Sequence, residues 1–125
     1  MFYGDFTCVE DVYNEFQVDP KDQLGNVIIF ASYDFEGYEG YANVILIKDG
    51  KFHHVEGSHC SCFGLEGQWQ PEEMPAEALI KMFSGNFYQN NEYKPLISII
   101  EEFESVGLFK MNQKEISFYL TLKYA

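Results

Sequence analysis

Arginine is missing from this 125-residue sequence: all eight basic residues are lysines, set against 20 aspartates and glutamates, for a formal net charge of -12. Nucleic acid is bound largely by Lys and Arg that neutralise phosphates, so this balance disfavours direct nucleic-acid binding and points to a basic partner. Long hydrophobic runs are also lacking. The longest, Val27 to Ala31, falls far short of the roughly 20 residues of a spanning helix. The N-terminal stretch carries acids where a signal peptide needs a basic n-region, and no apolar h-region follows, so a cytoplasmic protein is expected. Cysteine is scarce and odd in number, at three. That argues against a disulfide framework and for free thiols or metal ligands in a reducing compartment.

What the sequence does have is material for a core. With 46% hydrophobic and 18% aromatic residues it is too apolar for a disordered acidic tail. Its length suits one domain, 1–125, and neither repeats nor low-complexity linkers interrupt it.

Thr7 and Glu10 have capping-box spacing, and Val9, Val12, Tyr13 and Phe16 follow at helical intervals, which predicts a first helix ended by Asp19-Pro20. Asn26 to Phe35 and Tyr41 to Lys48 are rich in β-branched and aromatic residues and read as strands joined by a Gly37–Gly40 loop. Asp49-Gly50 is a type I′ hairpin signal that makes Lys51 to Glu56 the next antiparallel strand. An ordered, aperiodic loop should follow Gly57. Pro75 to Phe83 and Pro95 to Val106 read as helices, stopped by Gly85 and Gly107. Ile116, Phe118, Leu120 and Leu122 alternate with polar residues and predict a C-terminal strand. The expected fold is α+β: a three-stranded antiparallel meander plus that strand, packed with two or three helices.

The densest chemistry lies in Gly57-Ser58-His59-Cys60-Ser61-Cys62-Phe63-Gly64-Leu65-Glu66. Zn²⁺ takes thiolate and imidazole ligands in a tetrahedron with metal–sulfur distances of about 2.3 Å, so two sulfurs must come within roughly 3.8 Å. Side chains at i and i+2 of an extended segment point the same way, which suits Cys60 and Cys62. The expected zinc ligands are therefore His59, Cys60 and Cys62, with a fourth from Asp34, His54, Glu66 or Cys8. Asp34 is preferred because its strand end can lie beside the loop. No second Cys or His pair completes a finger, and the His-x-Glu of the zinc deaminases is absent, so a closed structural site is expected over a catalytic one. The bland alternative is a pair of half-buried thiols. His53 and His54 fall on opposite faces of a strand and read as ordinary strand residues. Trp69, Phe63 and the tyrosines read as packing residues, since no lysines interleave with them.

The acids are skewed toward the N-terminal part. Residues 1–47 hold Asp5, Glu10, Asp11, Glu15, Asp19, Asp22, Asp34, Glu36 and Glu39 against Lys21 alone, nine minus one, a balance of -8. Such a surface keeps a small protein soluble, or it docks on a basic groove with fast, salt-sensitive association.

The stretch from Gly57 to Trp69, preceded by Tyr3-Gly4-Asp5-Phe6 and followed by Pro71-Glu72-Glu73, resembles small acidic proteins encoded by bacteriophages and prophages, over roughly residues 3–80. It is similar to metal-binding anti-CRISPR proteins that inhibit Cas9. The resemblance implies a monomeric, non-enzymatic inhibitor that meets the positively charged channels of a host RNA-guided nuclease and blocks DNA loading, with the zinc motif carried by His59, Cys60 and Cys62. Two other classes remain open on the residues alone: a zinc- or thiol-dependent small hydrolase, and a phage structural or scaffolding protein.

Overall fold

The computed structural model describes residues 1–60, 63–85 and 93–124, leaving the Glu36 side chain aside. In chain order the elements are β1 (Phe2–Gly4), α1 (Val9–Phe16), α2 (Pro20–Gln23), β2 (Val27–Glu36), β3 (Glu39–Lys48), β4 (Lys51–His59), β5 (Glu72–Glu73), α3 (Ala76–Phe83), α4 (Lys94–Val106), a 3₁₀ turn (Leu108–Lys110) and α5 (Gln113–Tyr124). The strands form one sheet in the order β1-β2-β3-β4-β5.

The expected meander is present and longer than its sequence pattern suggested. Asp49 and Gly50 both take positive φ, 54° and 73°, as a type I′ turn requires. They set the register Lys48↔Lys51, which continues as far as Gly40↔His59. Thus β4 runs through His59, and the aperiodic stretch begins only after it. Ile29 is an extra residue between the pairs Ile28↔Leu46 and Phe30↔Ile45, a bulge that turns Ile29 and Phe30 to the same face.

Two expectations need correction. The sheet is mixed, because β1 pairs in parallel with β2 through Phe2↔Ala31. The expected C-terminal strand is a helix, one of five α-helices among the described residues. Its alternating apolar residues do not share a face: Ile116 and Leu120, one turn apart, are buried, while Phe118 and Leu122 are 68% and 72% exposed. What decides for helix is a reciprocal cap. Asn112 Oδ1 accepts from the Glu115 N–H at 2.9 Å, and Glu115 Oε1 accepts from the Asn112 N–H at 3.2 Å.

The sheet separates two apolar layers. On one face Ile29, Phe30, Ile45, Ile47 and Phe52 meet Leu79 and Phe83 of α3, Leu96, Ile99, Ile100 and Phe103 of α4, and Ile116 and Leu120 of α5. On the other, Ile28, Ala31, Tyr33, Val44, Leu46 and Val55 are covered by Phe6, by Val12 and Phe16 of α1, and by Leu65. Burying each such large side chain contributes about 1.5–3 kcal/mol relative to leaving it in water. Along the β2 edge, Gln113 uses its side-chain amide as a substitute peptide group: Oε1 accepts from the Ile28 N–H at 2.6 Å and Nε2 donates to the Ile28 carbonyl at 2.8 Å.

Candidate interaction surface at the open end of the sheet

The β2–β3 turn and the end of β4 bring one row of residues together. Phe35 pairs with Gly40, and Gly40 pairs with His59. Gly40 is what lets the rings on either side meet, since a Cβ there would lie 2.9 Å from Tyr33 Cε1 and 3.1 Å from the Phe35 ring. Across it the His59 ring stands edge-on to Phe35 and Tyr33, with centroids 5.4 and 6.5 Å away. The surroundings are aromatic and exposed: Phe35, Tyr38 and Phe63 are 46%, 84% and 57% accessible, and Tyr41, paired with Asp34 and 52% accessible, borders the same end of the sheet from its opposite face.

Acids ring this end. The Tyr33 phenol is held above its ordinary pKa first by burial and then by the negative charges of Glu15, Asp5 and Glu66. These three acids come from α1, the β1–α1 connection and the loop after β4, so the fold gathers side chains remote in sequence around one ring. Glu39 adds a fourth acid on the turn, accepting from Tyr41 Oη at 3.0 Å.

The loop after β4 is fastened by three side chains. Leu65 is fully buried against Gly57 and Phe16. Trp69 stands edge-on to Tyr13 and Phe16 at 5.6 and 5.3 Å. The Gln68 amide pairs with the β4 edge: Oε1 accepts from the Ser58 N–H and Nε2 donates to the Ser58 carbonyl, both at 2.8 Å, with a further bond from Nε2 to the Gly64 carbonyl. No spacing rule singles out Gln68, because an amide that replaces a strand has no fixed offset in sequence.

The expected zinc ligands are only partly brought together. His59 and Cys60 are adjacent at the end of β4, and His59 Nδ1 is buried with no hydrogen-bond partner among the described residues. Cys60 is half-buried, and its N–H donates to the Phe63 carbonyl at 3.2 Å. Cys62 lies outside the described residues. Asp34 pairs with Tyr41, one position out of step with the Phe35–Gly40–His59 row, so strand alternation puts its side chain on the opposite face from His59. Its Oδ1 also leans to the β1 side, 3.1 Å from where a Cβ on Gly4 would lie. Of the other candidates, Glu66 Oε1 accepts from the Gly64 N–H at 3.3 Å, Cys8 sits free at the start of α1, and His54 is buried on the helix-covered face. Among the described residues no three His, Cys, Asp or Glu side chains are placed to share a metal ion.

A second constellation lies on the helix-covered face. Ser32 Oγ and Tyr93 Oη share a hydrogen bond of 3.1 Å, Asn43 Nδ2 donates to Tyr93 Oη at 3.3 Å, and Asn43 Oδ1 is 2.9 Å from His54 Nε2. Because Asn43 donates at one end, its oxygen accepts at the other, so His54 carries its proton on Nε2. The trace of this network in the sequence is a polar residue on the apolar face of each long strand: Ser32, Asn43 and His54.

The fold and this end of the sheet define a small α+β protein with an acidic, aromatic rim. No protein-family model matches the chain, and neither a curated protein nor a solved structure matches it. Among the described residues no helix is long and apolar enough to cross a membrane.

Proposed function

We propose that this chain is a binding protein that docks on a basic groove of another protein through the rim formed by Phe35, Tyr38, Tyr41 and Phe63 with Asp5, Glu15, Glu39 and Glu66. The observation that carries this reading is the coincidence of exposed aromatics with gathered acids at one end. Aromatic residues dominate the buried centres of protein interfaces, and complementary charge speeds and orients encounter. With the resemblance to anti-CRISPR proteins, the partner is a host RNA-guided nuclease of the Cas9 type, and the consequence of docking is blocked DNA loading. Zinc, held by His59, Cys60 and Cys62, serves as a structural clamp on the loop that presents Phe63 and Glu66. The unpartnered His59 Nδ1 supports that assignment; with Asp34 on the far face, the loop residues carry it.

The test is binding of the purified chain to Cas9 loaded with guide RNA, at low and high salt. A complex that forms at low salt, weakens steeply with ionic strength and excludes target DNA is expected. Glu15→Lys and Glu39→Lys should each weaken it. Absence of any complex at low salt would overturn the partner assignment. For the clamp, His59→Ala and Cys60→Ser should each lower zinc content and thermal stability together; metal-free protein purified without chelator would exclude it.

A further inference from the structure

Beside the outer edge of β4 lies a cleft of about 300 Å³ lined by His54, Glu56, Gly67, Gln68, Gln70 and Glu72. Strand geometry accounts for its chemistry. Glu72 pairs directly with His54 across β4 and β5, and Glu56 is two positions further along β4, so all three share a face. The backbone adds to them. Phe52 O accepts from the Met74 N–H and Ser58 bonds to Gln68, so alternate residues of β4 turn their peptide groups outward. Glu56 falls between these two points, and its N–H and C=O face the same edge.

His54 is 6% accessible, and its Nε2 is committed to Asn43. Among the described residues nothing hydrogen-bonds Nδ1, and it is absent from their fully enclosed unpartnered atoms, which are Asn26 Oδ1 and His59 Nδ1. It therefore reaches solvent, and the cleft is where its ring does so. Burial lowers the pKa of His54 against the opposing pull of Glu56 and Glu72. At neutral pH the ring is uncharged, and Nδ1 offers a lone pair beside two exposed carboxylates. Among the described residues, Asn43 from β3, the Phe83 ring edge-on at 5.6 Å from α3, and Tyr93 behind Asn43 also surround it. None of the three carries a charge.

We infer that this cleft receives a guanidinium group, presented as an arginine side chain by the basic partner protein. Acceptors dominate the lining: two carboxylates, an imidazole nitrogen and the Glu56 carbonyl, set against the Glu56 N–H and the Gln70 amide, while Gln68 Nε2 is already committed to the Ser58 and Gly64 carbonyls. A bare metal ion suits the cleft poorly, because its ligands must crowd within about 2 Å of one point, and no three such side chains here do so. A guanidinium spreads five N–H donors over a planar fork and can satisfy acceptors set further apart. The inference rests on the docking reading above and adds a second contact to it, at the β4 edge away from the aromatic rim.

The probe is Nα-acetyl-arginine amide, added to the intact chain at pH 7 and followed by amide and His54 ring signals in NMR, with the citrulline and lysine analogues and zinc chloride as comparisons. Saturable shifts confined to His54, Glu56, Gln68 and Glu72 are expected with the arginine compound, smaller ones with lysine, and none with citrulline. Glu72→Gln and Glu56→Gln replace exposed side chains without disturbing the core, and each should weaken binding about tenfold through loss of a charge-assisted hydrogen bond. Lowering the pH until His54 protonates should weaken it too, because Nδ1 then donates and repels. No saturable shift with arginine, equal shifts with citrulline, or a response at His54 to zinc alone would each overturn the inference. Failure of the docking reading looks different: arginine binds the cleft while Cas9 is not retained. If Cas9 is retained equally by Glu72→Gln and arginine gives no shift, docking stands and this cleft plays no part in it.

Discussion

The two faces of the sheet are held by different means. On the helix-covered face three helices of eight residues or more, α3, α4 and α5, lay Leu79, Phe83, Ile99, Ile100, Phe103, Ile116 and Leu120 over the strands. On the other face, among the described residues, one helix of that length, α1, shares the work with the loop after β4, which contributes Leu65 and Trp69. The helical face is thick, and its exposed surface is set by helix exteriors. The loop face is thin, so residues close to the sheet itself, such as Phe35 and His59, approach the surface there. Recognition is best placed where the covering is thin, because loops on a rigid scaffold can vary without cost to the core.

The largest effect should come from breaking the thick side. Phe103 is fully buried, with Phe52 and Phe109 rings at 5.9 and 5.4 Å. Phe103→Ala should cost about 3–5 kcal/mol, read as a fall in the denaturant midpoint at unchanged slope. A smaller loss, with hydrogen exchange raised only in α4, would show that this layer is less cooperative than its packing implies. Next comes the thin side. Leu65→Ala should cost about 2–3 kcal/mol, toward the lower end for a buried leucine because a loop can settle into the space. Its distinctive sign is faster amide exchange at Ser58 and Gln68 with protection in α4 and α5 unchanged. Equal deprotection of both faces would erase the contrast between them.

The smallest effect is a pH dependence. Burial lowers the His54 pKa in the folded protein below the ordinary value of about 6.5. Between those two values the unfolded chain binds a proton that the native state refuses. Stability should therefore decline as pH falls from about 6.5 to the folded pKa, level off for this group below it, and be unaffected by it at higher pH. Comparing urea midpoints of the parent and of His54→Asn across this window isolates the contribution. A parent and variant with parallel profiles would mean that His54 does not titrate as its burial requires.

The central hairpins were legible in the sequence because local and global preferences agree there: an apolar, β-branched run precedes Asp49-Gly50, Phe52 and Val55 follow it, and the turn geometry follows from those two residues. The C-terminal element was misread for a physical reason. Apolar residues at 116, 118, 120 and 122 satisfy a strand period, while 116 and 120 also satisfy a helical one, and the tie is broken by the Asn112–Glu115 cap, which lies outside the alternating run. The short strands β1 and β5 left no pattern, since three and two residues are too few for a period and exist through pairing alone. At the site, the His59-Cys60 pair and the acid-rich N-terminal part were visible as composition. That Glu15, Asp5 and Glu66 converge on Tyr33 was not, because convergence depends on which face of a strand each neighbour meets. Asp34 illustrates the same point: proximity in the sheet was anticipated, and the alternation of faces removed it from His59.

On each side of the sheet an amide takes over where the short outer strand, β1 or β5, leaves its neighbour uncovered. Gln113 occupies the backbone of Ile28 on one side, and Gln68 occupies that of Ser58 on the other. A strand with open peptide groups is a template for stacking one molecule on the next, and proteins commonly block it with charge, proline or a covering helix. Here the block, at Ile28 of β2 and Ser58 of β4, is a side chain that imitates the neighbour it excludes. Conversion of either glutamine to glutamate, by mutation or by slow deamidation, would leave an acceptor where a donor is needed and expose that flank to a second copy. On this view the lifetime of the protein as a separate molecule depends on the chemical durability of two amides as well as on its charge.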